Sequence, residues 1–236
     1  MSICAQLGFL VCLAGLLPAA SHSLGSNPLA SRSLAPKPST SMSSAKHARE
    51  LSVDLTFVRH GETVANATGR YNSASLNAFS EKGADQVAAL TKQLVSQEPF
   101  DKIYVSPSPR ALRTIAPYLI VTHRKAVVWP LLYECCTGRR PSNAAPTSFK
   151  WGPRVTIPAD LAPLFIVLPG QNRLPVSPDY NAGLAQVAAS IAAFHKAVPS
   201  GRVLVVGHSA HGGQFLHELL HRWIKLDNAK EVHVKY

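Results

Sequence analysis

The chain has 236 residues, enough for one domain and a leader, and 46% of them are hydrophobic, which excludes a globally disordered protein. Lys and Arg number 24 against 13 Asp and Glu, so the formal charge is +11. This excess of positive charge favours anionic partners, among them phosphorylated small molecules, nucleic acids and acidic surfaces, but it does not decide the fold.

The first 50 residues divide into an apolar leader and a polar linker. Residues 3–20 are apolar and uncharged, and small residues follow them, which predicts a secretory signal peptide over residues 1–23. The alternative is a membrane anchor, for which the run is short and interrupted by Pro18. Residues 24–50 are rich in Ser, Pro and Ala and predict a disordered linker.

These two segments also predict a location. A cleaved signal peptide leaves a secreted or endomembrane-luminal protein with no stable membrane span. A linker that is rich in Ser and holds no acid before Glu50 also resembles a transit peptide, so a plastid or a mitochondrion stays the alternative.

The remaining residues, 51–236, alternate between strand and helix patterns. Short β-branched runs predict buried strands, and apolar residues at helical spacing predict helices between them. This alternation predicts an α/β fold, a three-layer α/β/α sandwich with a mostly parallel central sheet. The predicted strands are 53–59, 101–107, 126–132 and 202–208, and the predicted helices are 80–96, 110–121, 182–198 and 212–225.

Reactive side chains follow each of the four predicted strands. The first strand ends in Arg59 and His60, Arg110 follows the second, Glu134 the third, and His208 ends the fourth. The carboxyl ends of parallel strands meet at one edge of a sheet, where such proteins bind ligands. Arginine forks match phosphate oxygens, a neutral histidine can attack phosphorus, and a carboxylic acid can protonate the leaving oxygen. The sequence therefore predicts a phosphate-handling site at this edge.

Four blocks around these residues carry a family resemblance. The stretches RHGETVAN, SPSPRALRT, LLYE and VVGHSAHGG occur in this order between residues 59 and 213, and LNAFSEKGADQ lies between the first two. Together they resemble the histidine phosphatase superfamily, in its phosphoglycerate mutase-like branch. The resemblance implies a phosphoglycerate mutase-like fold and a phosphatase, a phosphoglycerate mutase-type phosphotransferase being the less favoured activity.

The resemblance also implies residue roles. His60 would be the nucleophile and form a phosphohistidine, Glu134 would be the acid and then the base, and His208 would be the second catalytic histidine. The predicted phosphate-binding residues are Arg59, Arg110, Asn66, Thr63 and Ser209. No metal and no cofactor are expected, because the guanidinium groups supply the positive charge. The implied partner is a small phosphorylated substrate or a phosphoprotein, and no nucleic acid is expected.

Ser209 offers a different reading of the fourth block. VVGHSAHGG resembles the nucleophile elbow of a serine esterase or lipase, and Asp227 and His233 follow in triad order. The elbow pattern needs glycine where His211 stands, and the chain ends 27 residues after Ser209. The phosphatase interpretation is therefore preferred.

The segment HELLH, His217 to His221, matches the zinc-peptidase pattern His-Glu-x-x-His. A third ligand could come only from Glu231 or His233. A non-catalytic binding member of the family is a further alternative, although both His60 and His208 are present.

Residues 135–180 form an insert that departs from the resemblance. Eight of the 18 prolines fall in it, and Arg139, Arg140, Lys150 and Arg154 precede its first acid. Dense proline predicts an extended loop rather than helices. We expect the loop to lie over the pocket, either as a basic lid that selects polyanionic or bulky phosphate esters or as a solvated loop.

Overall fold

A computed structural model describes residues 52–236 of the chain. The predicted signal peptide, residues 1–23, and the predicted linker, residues 24–50, lie outside the described residues.

The predicted strands form the centre of one sheet. They are β1 (Val53–Arg59), β2 (Lys102–Val105), β3 (Ala126–Val128) and β7 (Gly201–Gly207), and each pairs in parallel with its neighbour. Strand β3 stops short of its predicted end, because Pro130 has no amide hydrogen for the ladder and begins a 3₁₀ turn at Pro130–Leu132.

Two strands that the sequence analysis did not predict complete this sheet. Strand β5 (Phe165–Val167) pairs in parallel with β3, and β8 (Glu231–Lys235) pairs antiparallel with β1 at the other edge. The order is β5-β3-β2-β7-β1-β8. Ahead of β8, the amide of Ala229 donates to the Arg59 carbonyl at 2.9 Å, so this connection lies against the end of β1.

Six helices accompany the sheet. They are α1 (Val64–Thr68), α2 (Ser73–Asn77), α3 (Glu81–Val95), α4 (Pro109–Thr122), α5 (Tyr180–Ala197) and α6 (Ser209–Leu220). Ser80 caps α3 as expected, since its hydroxyl accepts from the Gly83 amide at 3.0 Å. Helix α6 begins earlier than the pattern predicted and ends sooner, at the left-handed residue His221.

The two faces of the sheet carry separate hydrophobic clusters, which gives the predicted three layers. Side chains alternate between the faces of a strand. Val58 of β1 therefore joins one cluster with Leu112 and Ile115 of α4, while Phe57 joins the other with Phe194 of α5 and Phe215 of α6. The α/β/α prediction is confirmed.

The insert at residues 135–180 holds short strands where only loop was predicted. Strands β4 (Lys150–Arg154) and β6 (Arg173–Val176) pair antiparallel as a separate two-stranded sheet, and β5 lies between them in the chain. Both paired strands contain a proline, which an edge strand tolerates because one side of its ladder is unpaired. Over residues 52–236, no helix combines the length and apolar character needed to cross a membrane.

Candidate active site

A cavity of about 490 Å³ lies at the carboxyl edge of the parallel strands. Seven of the predicted site residues line it, and His208 is fully buried at its base, where its ring centroid is 5.3 Å from that of His60. The sequence-predicted residues thus lie together. The lining residues are Arg59, His60, Thr63, Asn66, Tyr71, Leu76, Arg110, Glu134, Thr137 and Ser209.

His60 is buried and oriented through both ring nitrogens. Its Nδ1 lies 2.8 Å from the Gly61 carbonyl oxygen, and its Nε2 accepts a hydrogen bond from Arg110 Nε at 3.1 Å. A carbonyl can only accept, so Nδ1 carries the proton and Nε2 holds the lone pair. Burial, followed by the charge of Arg110, lowers the pKa of His60 to about 3, so the ring is neutral near pH 7.

The turn that carries His60 is held by residues from two distant elements. Thr114 of α4 accepts from the Gly61 amide at 3.0 Å through its hydroxyl oxygen. Asn228, ahead of β8, donates from Nδ2 to the His60 carbonyl at 2.9 Å. The position of the imidazole therefore depends on α4 and on the connection before β8.

Arg110 bridges the two histidines. Its Nη2 lies 3.1 Å from Nδ1 of His208, and on the far side of that ring Nε2 lies 2.7 Å from Ser106 Oγ and 3.3 Å from Ser108 Oγ. Because arginine only donates, His208 Nδ1 accepts and its Nε2–H donates to Ser106. Burial lowers the pKa of His208 well below its usual value, so this ring is also neutral.

The guanidinium group of Arg59 has one nitrogen that donates a hydrogen bond and one buried nitrogen that lacks an acceptor within residues 52–236. Its Nη1 donates to the Leu226 carbonyl at 3.0 Å, while its buried Nε has no acceptor among the described residues. Burial lowers the pKa of Arg59, yet a guanidinium retains its charge in proteins. Arg59 therefore adds a second charged guanidinium to the residues that line the cavity, and guanidinium groups are suited to bind phosphate oxygens.

Glu134 faces the same cavity from the loop after β3. Its Oε1 accepts from the backbone amide of His211, in the first turn of α6, at 3.0 Å, and its Oε2 lies 3.7 Å from His208 Nδ1. Burial is the largest influence on this carboxyl and raises its pKa. A carboxyl with a raised pKa is suited to give and take a proton near neutral pH.

Thr63 and Asn66 also build the cavity wall. They form a capping box on α1, in which the Thr63 amide donates to Asn66 Oδ1 and the Asn66 amide donates to Thr63 Oγ1, each at 3.2 Å. Ser209 reaches the cavity as the first residue of α6.

The serine-hydrolase triad is not assembled. His233 lies on β8, where Nδ1 is 3.1 Å from Thr56 Oγ1 and Nε2 is 2.8 Å from a Glu231 carboxylate oxygen. Asp227 pairs with Lys225 at 3.0 Å. The ring nitrogens of His233 are thus engaged at the sheet edge, with neither on Ser209.

The HELLH segment does not form a three-ligand set. His217 stacks on Trp223 with ring centroids 4.1 Å apart, and His221 lies beyond the last turn of α6. Within the part of the chain that the structure describes, no three His, Cys, Asp or Glu side chains lie close enough to share a metal ion.

The basic side chains that suggested a lid do not line the cavity. Arg140 borders a different cavity, against α5 and α6, and Lys150 and Arg154 lie on β4. From the insert, Thr137 alone is a lining residue.

Several residues of the site were missed at the sequence level. Ser106 is the first residue of the SPSPRALRT block and lies at the end of a predicted strand. This position at the carboxyl edge of the sheet could have indicated that Ser106 belongs to the site. Asn228 precedes a strand that the sequence did not predict, so nothing marked it. Tyr71 and Leu76 lie in a polar stretch without periodicity, and Thr137 opens the insert.

Residues 55–147 match the sequence model of the histidine phosphatase superfamily (branch 1). No curated protein matched the chain.

Solved structures extend the likeness to the fold. The α-ribazole phosphatase from Shigella flexneri superposes with a TM-score of 0.51 at 19% identity, covering 76% of this chain and 89% of that one. Phosphoglycerate mutase from Bacillus anthracis str. Sterne gives a TM-score of 0.50 at 19% identity, over 80% of this chain and 90% of that one. Residues 55–147 are thus similar to the histidine phosphatase superfamily, and residues 52–236 have the phosphoglycerate mutase-like fold.

Proposed function

We propose that this chain hydrolyses phosphate monoesters through a phosphohistidine formed on His60. The observation that carries the proposal is a buried, neutral imidazole whose Nε2 lone pair lies 3.1 Å from a guanidinium nitrogen of Arg110, in a cavity that Arg59 also lines. A nucleophile within a cage of fixed cations fits the attack on a phosphoryl group, whose transition state spreads negative charge over its oxygens.

Binding of the phosphate would release the nucleophile. Arg110 donates to His60 Nε2 in the absence of an anion. Phosphate oxygens are stronger acceptors for a guanidinium than a neutral imidazole is, so the bound ester draws these donors to itself and frees the lone pair.

The first chemical step transfers the phosphoryl group to the enzyme. The bond between His60 Nε2 and phosphorus forms while the ester P–O bond breaks, and Glu134 gives its proton to the departing oxygen. The Nδ1–H bond to the Gly61 carbonyl holds the ring in the required tautomer.

The second step returns the enzyme to its starting state. The Glu134 carboxylate takes a proton from water, the water oxygen bonds to phosphorus, and the N–P bond breaks to release inorganic phosphate. Transfer to a second substrate hydroxyl instead of water would make the protein a mutase. The short insert, which adds only Thr137 to the lining, supports hydrolysis.

The test is an assay of the full-length protein on para-nitrophenyl phosphate, with and without a chelator. We expect the activity to persist in the presence of the chelator. When a reaction with labelled substrate is quenched, we expect to trap an acid-labile phosphoenzyme. At the end of the reaction, the label should be in inorganic phosphate. Because His60 carries the covalent step, His60→Ala should lose about 10³-fold or more in kcat.

Two variants serve as controls. His217→Ala removes a histidine outside the cavity and should retain activity, and Ser209→Ala should keep the phosphoenzyme because Ser209 carries no covalent step. Full activity of His60→Ala would refute the proposal. So would a loss of activity that is largest in Ser209→Ala, or one that is largest in His217→Ala and is accompanied by sensitivity to the chelator.

A further inference from the structure

The cavity lining includes a group of neutral residues that have no predicted part in phosphate binding. Tyr71 and Thr137 are exposed and Leu76 is half-buried. We call these three residues the leaving-group wall. It is neutral and includes an aromatic ring and an aliphatic side chain.

The cavity provides positive charge at one end only. Among its lining residues within 52–236, the cations are Arg59 and Arg110. Arg110 contacts both histidines, and Arg59 directly precedes His60 in the chain, so we assign both cations to the phosphate end. A second anionic group on the substrate would lie against neutral side chains and lose its hydration without gaining a partner.

Tyr71 is the lining residue best suited to hold an uncharged leaving group. It is 67% exposed although its ring is large and largely apolar, and it lies in the connection between α1 and α2. Tyr71 lines the same cavity as Arg59, Arg110 and His60. An aromatic face at this place can stack on a planar group attached to the phosphate, and Leu76 adds apolar contact.

Resting on the proposed phosphatase activity, we infer that the leaving-group wall selects monoesters with one phosphate and an uncharged aromatic leaving group, and that Tyr71 is the specificity-determining residue. The volume of about 490 Å³ accommodates such an ester, since small-molecule sites span roughly 300–1,000 Å³.

The test compares three esters whose leaving alcohols differ little in reactivity: benzyl phosphate, ethyl phosphate and 3-phosphoglycerate. We expect kcat/KM for benzyl phosphate to exceed that for each of the other two by about tenfold, the size of one good aromatic contact. Tyr71→Ala should raise KM for benzyl phosphate about tenfold and change ethyl phosphate less than about twofold, since the phosphate end stays intact. Tyr71→Phe should keep the preference.

Trp223→Ala is the matched control, because Trp223 is 55% exposed and lies outside the cavity. It should leave all three esters unchanged. Equal losses on benzyl and ethyl phosphate in Tyr71→Ala would overturn the inference, because Tyr71 would then act on the phosphate end. A preference for 3-phosphoglycerate would overturn it as well.

Binding separates this inference from the proposed reaction. In His60→Ala, which cannot form the phosphoenzyme, benzylphosphonate should bind about tenfold more tightly than ethylphosphonate by calorimetry, and Tyr71→Ala in that background should abolish the difference. If this preference is present but no ester is hydrolysed in a His60-dependent way, the proposed function fails and the aromatic site stands. If hydrolysis depends on His60 but the two phosphonates bind alike, the inference alone fails.

Discussion

At the scale of single residues, the site is organised by which groups can only donate and which can only accept. Arg110 can only donate, and the Gly61 carbonyl can only accept. Between them they fix the tautomer of His60, and Arg110 fixes that of His208 in the same way. Burial then keeps both rings neutral. Both rings thus have the tautomer and the neutral state that the proposed mechanism requires.

The role of Glu134 predicts a dependence on the leaving group. Glu134→Gln keeps an oxygen for the His211 amide but removes the proton that the leaving oxygen needs. Alcohol release from ethyl phosphate should fall about 10²–10⁴-fold, whereas the first release of p-nitrophenolate, a good leaving group, should fall less than about tenfold. Rapid-mixing measurement of the first turnover gives both rates.

The carboxyl of Glu62 provides the control for this experiment. Glu62 is bound to Ser80 at 2.8 Å and to Lys82 at 3.0 Å, outside the cavity lining. Glu62→Gln should lower the first-turnover rate only slightly, and by the same factor for both esters. If Glu134→Gln lowered the first-turnover rate of the two esters by the same factor, Glu134 would not be the general acid.

Some of these residues could be predicted from the sequence and some could not. Arg59, His60, Arg110 and His208 follow directly from strand ends, because parallel strands bring their carboxyl ends to one edge. Asn228 could not be found in this way. It acts through a backbone carbonyl, and it precedes an edge strand whose sequence, EVHVK, is too polar to mark a buried strand.

At the scale of elements, the long helices were predictable and the short ones were not. Helices α3 and α5 bury apolar residues at regular spacing, and a capping side chain precedes each. Helices α1 and α2 are single turns that depend on capping boxes rather than on an apolar face. Their polar sequences resemble those of loops, and the connection between them carries Tyr71.

Helix α3 packs closely against the turn that follows His60, and this predicts that Gly83 cannot be replaced by a larger residue without cost. A Cβ on Gly83 would lie 1.9 Å from the carbonyl oxygen of Glu62, which is backbone and cannot rotate away. Gly83→Ala should therefore lower the free energy of unfolding by about 1–3 kcal/mol and reduce activity, because the turn after His60 must shift. Urea unfolding and the phosphatase assay measure the two effects.

Gly213 of α6 provides the matched substitution. Apart from its chain neighbours and the backbone of its own helix, no atom of the described residues lies within 4 Å of the place that a Cβ on Gly213 would occupy. Gly213→Ala should therefore raise the free energy of unfolding by about 0.5–1 kcal/mol through helix propensity. If Gly83→Ala were as harmless as Gly213→Ala, α3 would not pack against the Glu62 backbone as described.

At the scale of the whole molecule, the buried interior around the sheet continues up to the edge that carries the cavity. His60, His208 and His211 are all buried, and His211 stacks on Phe215 with ring centroids 6.0 Å apart. Burial that keeps the proposed nucleophile neutral therefore also places three neutral imidazoles in the fold, and this links stability to pH.

The sign of that link follows from the pKa shifts. Burial lowers the pKa of His60 and of His211 to about 3, and it lowers the pKa of His208 well below 6.5. Between about pH 6.5 and pH 3 the unfolded chain binds protons that the folded chain does not, so the free energy of unfolding falls as the pH falls. Each histidine should cost about 2 kcal/mol between pH 7 and pH 5.

Urea unfolding of the full-length protein at pH 7 and pH 5 measures this loss. His211→Phe keeps the stacking on Phe215. It should reduce the difference in the free energy of unfolding between pH 7 and pH 5 by about 2 kcal/mol, which is the contribution of one histidine. His195→Gln, a change at an exposed position of α5, should leave it unaltered. Equal stability at the two pH values would mean that the three rings bind protons in the folded state. The neutral imidazole that the proposed mechanism requires of His60 would then be lost as well.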